Sequence, residues 1–104
     1  MKVPAKNILT VVAEANSISV RELTGKRRTK RVAHARQEAM FLLRRMRGDS
    51  LKSVGFDLGQ RDHTTVMYGV REVGKRVSDP EVRRRLAACV SASQCPVLFR
   101  RPGK

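Results

Sequence analysis

Apolar side chains recur three and four residues apart along most of this chain, and this spacing is the strongest constraint on its fold. Such intervals place side chains on one face of an α-helix, whereas a half-buried β-strand needs alternation at every second position. No stretch of the sequence sustains that alternation, and even the valine-rich stretches keep the helical interval. The sequence therefore predicts an all-α fold, a compact helical bundle.

Residues that start and stop helices divide the first half of the chain into three predicted helices. Pro4 suits the first turn of the first helix. Residues 19–22, Ser-Val-Arg-Glu, fit a capping box, which predicts a short helix that ends near Gly25. From about Thr29 an apolar face continues to Gly48, a typical helix stop, so the longest helix is predicted there.

The second half of the chain is divided in the same way. Asp49 or Ser50 can cap a helix that has room for roughly two turns before Gly59. Asp62 is a natural N-cap for the next helix, and an Asp-Pro-Glu sequence at residues 79–81 opens the last one.

The length of 104 residues allows one compact domain and is too short for a second one of ordinary size. We predict a single domain over residues 1–93 and a weakly ordered tail over residues 94–104. The initial Met1 and this tail favour a complete small protein over a domain taken from a longer one.

The net charge of the chain indicates what kind of partner it binds. The chain carries 23 Lys and Arg residues against 9 Asp and Glu, a formal net charge of +14, and 10 of the basic residues lie between Arg21 and Arg47. Such a charge opposes a compact state unless a polyanion lies nearby. A membrane is disfavoured because no apolar run approaches spanning length and no export signal is present. Scarce aromatic residues weaken a single-strand binder, so double-stranded DNA in the cytoplasm, at the nucleoid, is the expected partner.

Cys89 and Cys95 are the only cysteines, and they lack the spacing and the nearby histidine of a zinc site. Two cysteines also make no disulfide framework. We therefore expect reduced thiols, no metal and no cofactor.

A two-turn helix, a glycine-containing turn and an amphipathic helix with a polar first turn are the ingredients of a helix-turn-helix motif. In that motif the second helix enters the major groove by its N-terminal end. Its first side chains here are Asp62, His63, Thr64 and Thr65. A carboxylate can accept from a cytosine amino group, an imidazole can bond a base edge, and a threonine offers a hydroxyl and a methyl group. These four residues are the predicted base contacts.

Three segments make the prediction more specific: residues 26–40 (KRRTKRVAHARQEAM), residues 50–55 (SLKSVG) and residues 59–66 (GQRDHTTV). They closely resemble the C-terminal DNA-binding domain of the bacterial chromosomal replication initiator DnaA. The resemblance covers roughly Val3 to Ser93, and its most specific part is the Arg-Asp-His-Thr-Thr-Val run that ends at Val66.

The resemblance implies roles for individual residues. The four polar residues at the start of the second helix would contact bases in the major groove of a short asymmetric site, the DnaA box, and Arg36 would reach into the adjacent minor groove. Contacts to the DNA backbone are expected from Lys26, Arg27, Arg28, Lys30, Arg31, Ser50, Leu51, Lys52 and Arg61. Because the family binds an asymmetric site as one domain, we expect a monomer on DNA.

The sequence departs from the family pattern in three places. The family's Arg-Pro-Arg is His34-Ala35-Arg36 here, which weakens one cation and softens the expected grip on phosphate. Phe-Gly-Gly is replaced by Leu58-Gly59-Gln60, which leaves one turn glycine instead of two. These 104 residues also lack the nucleotide-binding module of an initiator, so they are not expected to initiate replication alone.

Two enzymatic interpretations are weak. Residues 69–75 match the GxxxxGK pattern of a phosphate loop, but they follow no predicted strand and lie inside a predicted helix. His63 beside Asp62 resembles part of a catalytic pair, yet no nucleophile or second ligand accompanies it. We predict that the chain is not an enzyme.

The leading hypothesis is a sequence-specific binder of DnaA-box-like duplex DNA that regulates replication or transcription by occupancy and competes with full-length DnaA. A protein-interaction module and a nonspecific architectural DNA binder remain as alternatives.

Overall fold

The computed structural model of the chain describes residues 3–94, and six α-helices contain most of them. No strand occurs within this range, and the all-α prediction is confirmed. The predicted tail lies outside the described residues except for Gln94, which closes the last helix. The helices are α1 Ala5–Ala15, α2 Val20–Thr24, α3 Lys30–Leu42, α4 Leu51–Asp57, α5 His63–Arg76 and α6 Pro80–Gln94.

Polar side chains cap the starts of four of these helices, as the sequence predicted for three of them. At α2 the Ser19 hydroxyl accepts from the Glu22 amide at 3.0 Å, and the Glu22 carboxylate accepts from the Ser19 amide at 3.0 Å. Thr29, Ser50 and Asp62 each accept from an amide in the first turn of the helix that follows. Each cap satisfies a backbone donor that has no partner within its helix.

The longest predicted helix changes its geometry before it ends. After α3 the chain forms a π-helical turn, Leu43–Arg47, and stops at Gly48, whose φ of +69° is left-handed. Arg44 donates to the Asp49 carbonyl at 2.6 Å, and Arg47 donates to the Asp49 carboxylate at 2.7 Å. These two arginines therefore hold the connection to α4.

The core lies around α3, which packs most extensively against α5 and also against α1 and α2. Its interior is filled by aliphatic side chains, among them Ile8, Leu23, Met40, Leu58 and Val73. The helix α6 packs along α1 and closes one side of the bundle. There the Cys89 thiol is buried and lies 3.9 Å from the Val11 carbonyl oxygen, and burial raises the pKa of this thiol to about 11.

One carboxylate lies within the core. Glu38 has no exposed surface, and Arg85 on α6 donates to its Oε2 from Nη2 at 2.5 Å and from Nε at 3.1 Å. Arg85 Nε also lies 3.2 Å from Oε1, and Asn16, just after α1, donates to Oε1 at 3.1 Å. This buried ion pair fastens α6 and the end of α1 to α3.

Among residues 3–94, no helix combines the length and the apolar character that crossing a membrane requires.

Candidate nucleic-acid interface

The two helices of the predicted helix-turn-helix, α4 and α5, pack directly against each other. The Arg61 amide donates to the Gly55 carbonyl at 2.8 Å, which brings the end of the turn back onto α4. A Cβ atom at Gly55 would collide with the Arg61 carbonyl oxygen, so only glycine allows this approach. The turn is thereby fixed against the first helix of the motif.

Left-handed backbone occurs at two consecutive positions of the turn. Gly59 has φ +87°, and a Cβ there would collide with the Thr24 carbonyl oxygen at the end of α2. Gln60 has φ +64°, a conformation that costs a residue with a Cβ about 1 kcal/mol or more. The family's second glycine, which the sequence lacks, therefore falls at a position where the backbone favours glycine.

The first turn of α5 presents the four predicted base-contacting residues to solvent. Asp62 accepts from the Thr64 amide at 3.2 Å and from the Thr64 hydroxyl. These bonds, the hydroxyl first, hold the pKa of the Asp62 carboxyl below its usual range. His63 Nδ1 lies 3.7 Å from the other Asp62 oxygen, and both side chains are 63% exposed. An ionised cap and exposed polar groups thus occupy one end of the helix.

The opposite face of α5 fixes the helix in the core. Val66 and Val73 are fully buried, and Gly69 lies so close to α3 that a Cβ would meet the Met40 sulfur at 2.5 Å. The GxxxxGK match lies within this continuous helix, so it has none of the strand and loop of a phosphate-binding site. The buried face leaves the polar first turn directed outward.

The predicted phosphate contacts near α2 and α3 are exposed cations. They are Lys26, Arg27, Arg28, Lys30 and Arg31. Arg27 has the Glu22 carboxylate within salt-bridge range, at 3.8 Å. His34, one helical turn after Lys30, has its pKa lowered by burial and by the positive charges of Arg76 and Lys30.

At the start of α4 the three predicted backbone contacts differ in exposure. Lys52 is exposed, and the Ser50 hydroxyl accepts from the Ser53 amide at 3.1 Å as the helix cap. Leu51 is half-buried and packs on the core, so its side chain does not face outward. A contact from Leu51 to phosphate would use its backbone amide.

Arg36, the predicted minor-groove residue, is buried in the structure. Its side chain is only 8% exposed, and its guanidinium donates to four backbone carbonyls around the end of α2. A minor-groove contact stays a prediction, and it would require this group to leave those carbonyls. Arg61, which precedes the cap of α5, is half-buried and donates to the Gly25 carbonyl.

The described range contains no group of three or more His, Cys, Asp and Glu side chains that could hold a metal ion.

Taken together, α4, the turn, the exposed polar start of α5 and the exposed cations of residues 26–31 define a helix-turn-helix DNA-binding domain. Residues 5–73 match the family described as the bacterial dnaA protein helix-turn-helix, and the chain belongs to that family. This membership confirms double-stranded DNA binding, and the matched helix-turn-helix is a DNA-binding domain without catalytic activity of its own.

Curated relatives agree with this assignment. The chain is 43% identical over 81 residues to the chromosomal replication initiator protein DnaA of Neisseria meningitidis serogroup C, which covers 77% of this chain. It is 40% identical over 88 residues, 84% of this chain, to the DnaA of Chloroflexus aurantiacus. The aligned part spans only 16% and 18% of the length of these two relatives.

Proposed function

We propose that this chain reads a DnaA-box-like duplex through the first turn of α5 and regulates replication or transcription by occupying such sites. The observation that carries the proposal is the exposed row Asp62, His63, Thr64 and Thr65 at the N-terminal end of a helix whose other face is buried. A recognition helix contacts base edges with these positions.

Hydrogen-bond polarity in this turn indicates which base edges are preferred. Asp62 is ionised and only accepts, and the Thr64 hydroxyl gives its hydrogen to Asp62, so it too presents lone pairs outward. In the major groove the amino groups of cytosine and adenine are the donors. Asp62 and Thr64 therefore favour bases that carry an amino group.

The exposed cations support binding by contacts to phosphate. Lys26, Arg27 and Arg28 lie in the loop before α3, and Lys30 and Arg31 lie in the first turn of α3. Ser50 and Lys52 lie at the start of α4. We propose that both groups contact the DNA backbone, as does Arg61 where its half-buried guanidinium permits. Such contacts orient a domain on the duplex, whereas base contacts give the preference for a sequence.

One titration tests the proposal. Binding to a DnaA-box duplex and to a scrambled duplex of equal length and composition is measured at physiological salt. We expect the box to bind tighter by a factor on the order of 10³. Equal tight binding to both duplexes would establish an architectural DNA binder, and weak binding to both would favour a protein-interaction module.

The regulatory part of the proposal concerns occupancy. As a monomer on DNA at the nucleoid, the chain would compete with a full-length DnaA for boxes, because both would read the same sites with the same type of helix-turn-helix. In footprinting on origin DNA, adding this protein should reduce initiator occupancy and origin melting in proportion to its own coverage. The Thr64→Ala variant, which should bind the boxes more weakly, is the control and should reduce initiator occupancy and melting less. Increased melting while this chain covers the boxes would contradict competition.

A further inference from the structure

Exposed side chains continue along α5 beyond its first turn. Tyr68 follows Thr64 by four residues and is 58% exposed. Arg71 and Lys75, which follow Thr64 by seven and eleven residues, are exposed as well. Side chains at these intervals lie on one face of a helix. The four residues therefore form one stripe along α5, and this stripe begins at a proposed base contact.

The side of α5 opposite this stripe is held in the core. Val66 and Val73 are fully buried there, and Gly69 lies against the Met40 sulfur on α3. Because α5 is fixed by that face, the stripe keeps its direction when the domain meets a duplex. A duplex that contacts Thr64 in the first turn therefore lies close to the next turn of the stripe.

That next turn adds apolar surface to an otherwise polar face. Tyr68 belongs to the stripe, and its neighbour Met67 is 38% exposed and follows His63 by four residues. Single exposed apolar side chains are common on protein surfaces and need no partner. These two are adjacent, and each lies one helical turn, about 6 Å, beyond a proposed base-contacting residue. Their place on the recognition helix is what indicates a contact with DNA.

The charges farther along the stripe also favour DNA as the partner of this surface. Arg71 and Lys75 lie on the same face as Tyr68, and the carboxylate of Glu72 lies 3.5 Å from Lys75 at the side of the stripe. Cations that continue from an apolar contact match the phosphates that border a groove. An apolar protein surface would leave these cations without partners.

We propose that Tyr68, with Met67 beside it, is a further specificity-determining residue whose ring packs on the methyl group of a thymine in the major groove. The inference rests on the proposed function, since it assumes that α5 enters that groove by its first turn. The thymine methyl is an apolar group that projects into the major groove, and apolar side chains recognise it by contact. A tyrosine side chain is longer than a threonine, which offsets the greater distance of its Cα from the bases.

This contact would complement the hydrogen bonds proposed for the first turn. Asp62 and Thr64 present acceptors and favour bases that carry an amino group, cytosine and adenine. Thymine carries no such group, so it is read by its methyl instead. The second turn of α5 would therefore extend recognition to a base that the acceptors of the first turn do not select.

The test replaces each thymine of a DnaA-box duplex in turn by deoxyuridine, which removes only the methyl group. In the parent chain at least one replacement should weaken binding about fourfold, the effect of burying one methyl group. In Tyr68→Ala that loss should disappear, while losses at other thymines remain. Fluorescence anisotropy measures both series. An unchanged pattern in Tyr68→Ala, or no loss at any thymine in the parent chain, would overturn the proposal.

Two variants serve as controls. Tyr68→Phe keeps the ring and should retain the pattern of the parent chain, whereas a pattern like that of Tyr68→Ala would assign the contact to the hydroxyl and contradict the proposal. Phe56→Ala removes another aromatic side chain, 68% exposed on α4 and outside the stripe, and should leave the pattern unchanged. Loss of the same thymine effect in Phe56→Ala would place the contact on α4 instead.

Failure of this inference is distinguishable from failure of the proposed function. If the parent chain does not prefer the box to a scrambled duplex, the proposed function fails and the role of Tyr68 fails with it. If the parent chain prefers the box and Tyr68→Ala weakens both duplexes equally, the proposed function stands and only the thymine contact is excluded.

Discussion

At the scale of single residues, the first turn of α5 combines a helix cap with the proposed base contacts. Asp62 uses one carboxylate oxygen for the Thr64 amide and hydroxyl, and its other oxygen stays exposed beside His63. Capping and base contact are therefore compatible in one side chain. The proposed phosphate contacts come from other residues, so substitutions in the two groups should have different effects.

Thr64→Ala and His63→Ala should each reduce box binding by about 1 to 3 kcal/mol and reduce scrambled-duplex binding by less. Lys30→Ala should weaken binding to both duplexes about equally, because a phosphate contact carries no sequence information. Fluorescence anisotropy with the two duplexes measures these differences. Equal losses for all three variants on both duplexes would mean that α5 is not the recognition helix.

Gln60→Gly should stabilise the fold. Gln60 has φ +64°, where glycine avoids a steric cost of about 1 kcal/mol, although glycine also gains freedom in the unfolded chain. We expect a net gain of roughly 0.5 kcal/mol in the free energy of unfolding, measured by urea denaturation. Gly59→Ala, the matched change one residue earlier, should destabilise the chain because its Cβ would collide with the Thr24 carbonyl. A loss of stability in Gln60→Gly would contradict this account.

At the scale of elements, the sequence predicted what local chemistry determines. Ser19 and Asp62 cap the helices they were expected to cap, and of the two candidates Asp49 and Ser50 it is Ser50 that caps α4. These caps are predictable because an N-cap bond spans only two or three residues. The change from α-helical to π-helical geometry at Leu43 had no comparable local signal.

In the candidate site, too, the features that local sequence determines were predictable and those that depend on tertiary contacts were not. Exposure of the first turn of α5 followed from amphipathic spacing, with Val66 and Val73 buried as expected. The enclosure of Arg36 could not be predicted, because its acceptors lie 9 to 14 residues away in the sequence and meet it only once α2 packs on α3. The sequence alone does not distinguish a buried arginine from an exposed arginine beside a cationic run.

One buried ion pair adds to the apolar packing that attaches α6 to the rest of the bundle. In Arg85→Ala the buried Glu38 carboxylate would keep Asn16 but lose its cation, at a cost of about 3 kcal/mol in the free energy of unfolding. Replacing both partners by methionine should recover most of that loss, because neither charge is then buried. Urea denaturation of the single and double variants measures the difference. A cost below about 1 kcal/mol in Arg85→Ala would show that the pair is not needed.

At the scale of the whole molecule, this chain with a formal net charge of +14 should bind DNA less tightly as salt rises, because its phosphate contacts release counterions. With about 5 to 7 phosphate contacts, the slope of log affinity against log salt concentration should be roughly −4 to −6. The Lys30→Ala variant should reduce the magnitude of that slope by about 1. A slope near zero in a potassium chloride series would contradict electrostatic binding to the DNA backbone.

The buried thiol of Cys89 gives this molecule an internal reporter of its own opening. Only the thiolate attacks a thiol reagent, and the folded chain both encloses Cys89 and raises its pKa to about 11. In a Cys95→Ser background, labelling at pH 8 should therefore proceed only through molecules whose α6 has separated from α1. A box duplex bound to the folded state should slow that labelling in proportion to its occupancy, so mass spectrometry of the modified fraction would measure DNA affinity without a dye on either partner.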